Sequence, residues 1–172
     1  MSPLLEQTVG ALLREKRLTL AVAESCTGGL IAHSLTNVPG ASDYFLGGIV
    51  AYANAVKVKL LDVSPQTLAD HGAVSRPTVL EMARGARQVF GAEVALSVSG
   101  VAGPAGGSAD RPVGTVWIAL AAPEGEWARR FHFAGGREEN KAAFARAALD
   151  LLLEYLQGEL RPEAGAELRE ER

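Results

Sequence analysis

What most constrains this chain is a short apolar run that breaks off into polar residues and glycines, then resumes with a different period. Leu18 to Ala23 is apolar apart from Thr19, the length and composition of a buried strand. Glu24-Ser25-Cys26-Thr27-Gly28-Gly29 follows directly, and Leu30-Ile31-Ala32-His33-Ser34-Leu35 then has roughly helical spacing. A strand handing over to a helix through such a turn puts backbone N–H groups and a positive helix end at the edge of a sheet. Open α/β sheets hold their ligands there. Two readings are open at this point: Ser25 or Thr27 caps the helix and the glycines make a tight turn, or the junction holds an anion.

The remaining segments alternate in the same way. Pro3 to Lys16 has the apolar spacing of an amphipathic helix, with Leu4, Leu5, Val9, Leu12 and Leu13 on one face. Phe45 to Tyr52 reads as a second strand whose paired Gly47 and Gly48 mark a bulge or a close backbone approach. Asn54 to Leu61 is expected to be a short helix carrying Lys57 and Lys59, and Ser64-Pro65 opens another. Arg76 to Phe90 forms a longer helix, apolar at Val79, Met82, Ala83, Ala86, Val89 and Phe90 and ended by Gly91. Val94 to Val98 is a third strand that runs into the glycine-rich stretch Ser99 to Gly107. Val113 to Ala121 and Glu126 to Phe133 are joined by a short Pro123-Glu124-Gly125 turn and should pair as an antiparallel hairpin. A last helix starts at Arg137 and ends near Gln157. Helices and strands interleave, so the expected architecture is a single three-layer α/β/α domain around a mixed five- or six-stranded sheet. The domain is expected over residues 1–158, with 159–172 a charged, frayed tail. If the strands at 18–23 and 94–98 are parallel neighbours, their small-residue loops line one edge and form the pocket.

Composition narrows the function classes. Net charge is −3 with no basic stripe, so nucleic-acid binding has no electrostatic footprint. Apolar stretches are interrupted well short of a membrane span, and the first residues lack the pattern of a secretory leader. The single cysteine, Cys26, precludes an internal disulfide and suits a reducing compartment; the expected location is the cytoplasm. His33, His71 and His132 stand in separate segments without metal-ligand spacing, so each reads as a surface or interface residue and no metal or cofactor is expected. No Gly-x-Ser-x-Gly elbow, Walker A or Gly-x-Gly-x-x-Gly occurs.

Without a histidine base, a serine nucleophile needs another activator. A lysine serves when burial or neighbouring charge lowers its pKa, because the free amine is the base. Tyr52-Ala53-Asn54-Ala55-Val56-Lys57 puts Tyr, Asn and Lys near one strand end. From pattern alone Lys57 is either a solvated helix charge or such a base. Cys26, directly after Ser25, should point elsewhere as a small buried residue.

These stretches together resemble the C-terminal domain of the competence/damage-inducible protein CinA, whose stand-alone forms are nicotinamide mononucleotide deamidases. The resemblance rests on Ala23 to Gly29, on Tyr52, Asn54 and Lys57, on His71-Gly72-Ala73-Val74-Ser75, on Ser99 to Gly107 and on Pro112 to Val116. It implies hydrolysis of the carboxamide of nicotinamide mononucleotide to nicotinic acid mononucleotide and ammonia, with Ser25 as nucleophile, Lys57 as general base and Tyr52 beside them. Backbone N–H groups at Thr27, Gly28 and Gly29 would hold the oxyanion. Glu24, Asn54, Ser99, Gly100, Gly103, Gly106, Gly107, Thr115 and Arg137 would contact the substrate, the second glycine-rich loop and Arg137 suiting its phosphate or ribose. Ala53, Val101 and Lys141 depart from residues common in the family, which bears on substrate affinity more than on reaction type. The alternative from another class is a catalytically silent nucleotide- or partner-binding module. A homodimer or higher homo-oligomer is expected, with Leu151, Leu152 and Tyr155 as candidate surface.

Overall fold

The computed structural model describes residues 4–160; the expected tail beyond residue 160 lies outside the described residues. Five strands, β1 (Leu20–Glu24), β2 (Phe45–Val50), β3 (Val94–Gly100), β4 (Thr115–Ala122) and β5 (Gly125–His132), form one mixed sheet in the order β2-β1-β3-β4-β5. β1 runs parallel to β2 and to β3, whereas β3, β4 and β5 pair antiparallel. Six α-helices complete the fold: α1 (Leu5–Lys16), α2 (Leu30–Thr36), α3 (Asn54–Leu61), α4 (Pro65–His71), α5 (Arg76–Phe90) and α6 (Arg137–Leu156). α1, α2 and α6 pack together over one face of the sheet, while α3 and α4 pack on α5, which crosses the other.

β1 is buried at every position because helices cover both faces and strands flank both edges. β2, at the edge, alternates between half-buried and exposed residues. Its register against β1 slips between Leu20↔Phe45 and Ala21↔Gly47, so Leu46 is the extra residue of a bulge. A Cβ on Gly48 would sit 2.6 Å from Val22 Cγ2, so both expectations for the paired glycines hold. Ser64 and Gly91 cap α4 and α5 as the sequence requires. The strand limits differ modestly from the pattern: β1 starts at Leu20 and includes Glu24, β4 starts at Thr115, and β3 continues to Gly100.

Two expectations about apolar helix positions are corrected. Leu151 and Leu152 are core residues, so neither offers a docking surface. Val89, counted on the apolar face of α5, is exposed. Gly85, unmarked by the pattern, allows α5 to approach α3 so closely that a Cβ there would lie 2.0 Å from the Leu61 carbonyl oxygen.

The chain leaves β1 through α2 toward β2 on one side, then returns through α3, α4 and α5 to β3 on the other. A crevice therefore opens beyond the carboxyl ends of β1 and β3, where the direction of winding changes.

Candidate active site

The two parallel strands deliver the first functional group. Glu24 pairs with Val98, and the ladder runs one step further as Ser25 N–H donates to the Val98 carbonyl (3.1 Å). Ser25 thus sits at the lip of the sheet. β2 also continues past its end, Ala51 N–H donating to the Glu24 carbonyl (2.7 Å). That contact sets the start of α3, and one helical turn later Lys57 points back inward beside Leu61, four residues on.

Lys57 Nζ lies 3.0 Å from Ser25 Oγ, 2.7 Å from the Ala51 carbonyl oxygen and 3.3 Å from the Tyr52 carbonyl oxygen. The side chain keeps 1% of its exposure, which settles the choice left open by the sequence: it is not a solvated helix charge. Burial lowers its pKa from the usual lysine value. No carboxylate lines the cleft among the described residues, so the ammonium form has no counter-ion there. All three contacts can be donated by the ammonium. Once it loses one proton, the two carbonyls, which can only accept, take the two remaining N–H bonds and the lone pair faces the Ser25 hydroxyl.

Around this pair is a cavity of about 300 Å³ lined by Ser25, Tyr52, Asn54, Lys57 and Arg137, and by Ser99, Gly100, Gly103 and Gly106 of the second loop. Ala73 and Val74, from the turn between α4 and α5, close the opposite wall. That turn is held by Ser75 and Thr78, whose hydroxyls donate to the Gly72 carbonyl (2.9 and 2.8 Å). The second loop is secured from α6: the buried Asn140 donates from Nδ2 to the Ala102 carbonyl (3.1 Å), and Arg137 Nη1 donates to that of Gly103 (2.6 Å). Asn140, Ala73 and Val74 were not singled out as site residues. The His71 to Ser75 block pointed to that turn without saying which side chains face the cleft.

Several expected contacts fall elsewhere. Glu24 is buried and turned away from the cleft: Oε2 accepts from Thr27 Oγ1 (2.6 Å), Gly29 N (2.9 Å) and Ile31 N (3.2 Å), and Oε1 accepts from Ala32 N (2.8 Å). The open choice for this turn is thereby decided. Neither Ser25 nor Thr27 is the cap, and the first turn of α2 is closed by the chain's own carboxylate rather than open to an external anion. Gly29 N–H bonds Glu24 and Gly28 N–H donates to the Ser25 carbonyl (3.1 Å), so neither is free for an oxyanion. Thr27, Gly28, Gly29, Gly107 and Thr115 do not line the cavity. The Thr115 hydroxyl is buried without a hydrogen-bond partner among the described residues. Tyr52 is exposed and its hydroxyl accepts from Arg137 Nη2 (2.9 Å), so only its backbone carbonyl touches Lys57.

Cys26 is buried beside the dyad, and burial pushes its thiol up to about 12, well away from a reactive thiolate. His33, His71 and His132 are exposed, and no cluster of metal-ligating side chains occurs among the described residues.

A three-layer α/β/α domain with a serine and a buried lysine joined across a switch-point crevice is the class this geometry defines. The chain matches the model of the CinA C-terminal domain over residues 3–156, and it belongs to that family. Among curated relatives, a CinA-like protein from Desulfosudis oleivorans is 55% identical over 149 residues, 86% of this chain and 36% of the relative. One from Desulfotalea psychrophila is 49% identical over 152 residues, 88% of this chain and 37% of the relative. The chain therefore spans little more than a third of the curated relatives it matches. Solved structures are matched over nearly their own whole length. A CinA superfamily protein from Klebsiella pneumoniae superposes with a TM-score of 0.87 at 36% identity, covering 90% of this chain and 96% of that one. The competence/damage inducible protein CihA from Agrobacterium tumefaciens gives 0.83 at 39% identity, covering 91% and 99%.

Proposed function

We propose that this domain is a metal-independent amidohydrolase that converts nicotinamide mononucleotide to nicotinic acid mononucleotide and ammonia. The observation that carries the reading is the 3.0 Å contact between Ser25 Oγ and a buried Lys57 Nζ that lacks a carboxylate partner in the cleft. Neutral Lys57 takes the Ser25 proton as the oxygen attacks the carboxamide carbon. The resulting ammonium gives its proton to the departing nitrogen, so ammonia leaves and an ester to Ser25 remains. Water attacks this acyl-enzyme with Lys57 again as base, which releases the carboxylate product and restores the serine.

With Gly28 and Gly29 N–H already bonded, the developing oxyanion must be held by the backbone at Cys26 or by the second loop, both of which line the cavity. Arg137 is suited to the phosphate of the nucleotide, because among the described residues two of its five N–H bonds are used, by Gly103 and Tyr52. Val74, Val101 and Ala102 supply apolar wall for a planar ring.

The test is ammonia release from nicotinamide mononucleotide by the purified chain, with Ser25→Ala and Lys57→Met in parallel. Release that both substitutions abolish supports the proposal. Release undiminished in Ser25→Ala removes the nucleophile, and tight nucleotide binding with no ammonia favours a binding module instead.

A further inference from the structure

We propose that Glu24 is a positioning residue for the nucleophile, acting through Thr27 and the first turn of α2; this rests on the reading of Ser25 as the attacking group. The common way to close a helix start is a short polar side chain at the N-cap itself. Here the N-cap is Gly29, which has no side chain, and closure comes from five residues upstream. The carboxylate that satisfies α2 belongs to the residue immediately before Ser25. Helix and nucleophile are thereby tied to one side chain.

The fit requires a carboxylate. Four donors converge on two oxygens, three on Oε2 and one on Oε1, and Glu24 is 1% exposed. An amide at this place would accept on one oxygen only and aim its NH₂ at a backbone N–H. Ser25 N–H is held by the Val98 carbonyl of the sheet, whereas its carbonyl is held by Gly28 N–H inside the turn, so the placement of Ser25 depends on the stretch from Cys26 to Gly29. Thr27 sits in the middle of that stretch, buried, its hydroxyl on Glu24. Releasing either end lets the turn relax and moves the serine relative to Lys57.

The arrangement has an electrostatic consequence as well. A loose carboxylate next to the cleft would stabilise the Lys57 ammonium and remove the base. Turned onto the positive end of α2, the Glu24 charge is compensated by helix donors instead.

The experiment uses the full chain with Glu24→Gln, Thr27→Val and Thr27→Ser. In a crystal structure of Glu24→Gln the Ser25 Oγ to Lys57 Nζ separation should exceed about 3.5 Å, the limit of a hydrogen bond. Its kcat for ammonia release should fall roughly tenfold or more while KM stays within about twofold, as misplacement of a reacting group predicts. Thr27→Val should lower kcat several-fold and Thr27→Ser should restore it, a rescue that loss of general stability would not show. An unchanged 3.0 Å contact with wild-type kcat overturns the proposal. So does a rise in KM at constant kcat, which would place Glu24 on the substrate. If Glu24→Gln does not fold, the valine and serine pair decides the matter by the same two criteria. If the wild-type chain releases no ammonia, the amidase reading fails, and the serine-to-lysine distance in the variants still decides the positioning role.

Discussion

The two glycine-rich turns at the sheet edge are built on opposite plans. The first, Glu24 to Gly29, is held by itself: its leading carboxylate binds the helix it introduces, taking the N–H groups of Gly29, Ile31 and Ala32. The second, Ser99 to Gly107, supplies much of the cavity lining and is held from 34 and 38 residues away, by Arg137 and Asn140 of α6. A turn closed on itself suits a group that must not move, such as a nucleophile. One held through a distant helix leaves its backbone facing the substrate and can adjust to it. Under the proposed amidase function the first turn governs rate and the second affinity.

The largest effect should come from the group that the first turn presents. Ser25→Ala or Lys57→Met should lower kcat on the order of a thousandfold or more, measured as ammonia release at saturating nucleotide. Both variants should still bind nucleotide in calorimetry, which separates chemistry from the second turn's task.

Next come substitutions that loosen the second turn. Asn140→Ala leaves the Ala102 and Gly135 carbonyls without their donor, a defect of about 1–3 kcal/mol for a buried group. KM should rise roughly tenfold while kcat changes little, the signature of lost ground-state binding. A fall in kcat with KM unmoved would erase the distinction between the two turns. Gly103→Ala should act in the same direction, because φ there is +92° and a Cβ would meet Val113 Cγ1 at 2.5 Å.

The pH dependence gives a smaller and sharper test. Since burial lowers the Lys57 pKa, kcat/KM should rise with pH and level off below the 10.5 of an ordinary lysine. The linked stability has a definite sign. The folded chain releases the Lys57 proton at lower pH than the unfolded chain, so between those two values the unfolded chain binds more protons. Native stability should therefore increase as pH rises through that window, a trend that urea titrations at several pH values would record and Lys57→Met should flatten.

The smallest expected effect concerns the other nucleophile of the first turn. With its thiol pushed up to about 12 by burial, Cys26 should resist iodoacetamide at pH 8 in the folded chain and react fully in urea. Rapid labelling of the native protein would mean that the turn opens, contrary to its self-closed construction.

Much of the fold was legible because its signals are local. The run at Leu18 to Ala23, the caps at Ser64 and Gly91 and the short link at Pro123 to Gly125 each reflect interactions within a few residues, and they placed strands, helices and the hairpin close to where they lie. Ser25, Lys57, Arg137 and much of the second loop line one crevice. The roles of Glu24 and Thr27 were not legible, since capping patterns look three residues ahead for a backbone N–H and the backbone donors of this carboxylate lie five to eight residues on. Asn140 gave no signal, because an asparagine on a helix surface and one buried under a loop read alike in a sequence.

The sequence by itself determined that the chain would alternate strand and helix around a sheet and that two small-residue turns would end two of its strands, because periodicity and turn chemistry act over short distances. Only the tertiary structure decided which ionisable side chains keep their solvent. Lys57 loses its solvent when β2 returns beside β1, and Glu24 finds four donors when α2 folds back over it. Both outcomes depend on desolvation, and desolvation is a property of the packed molecule rather than of any stretch of chain.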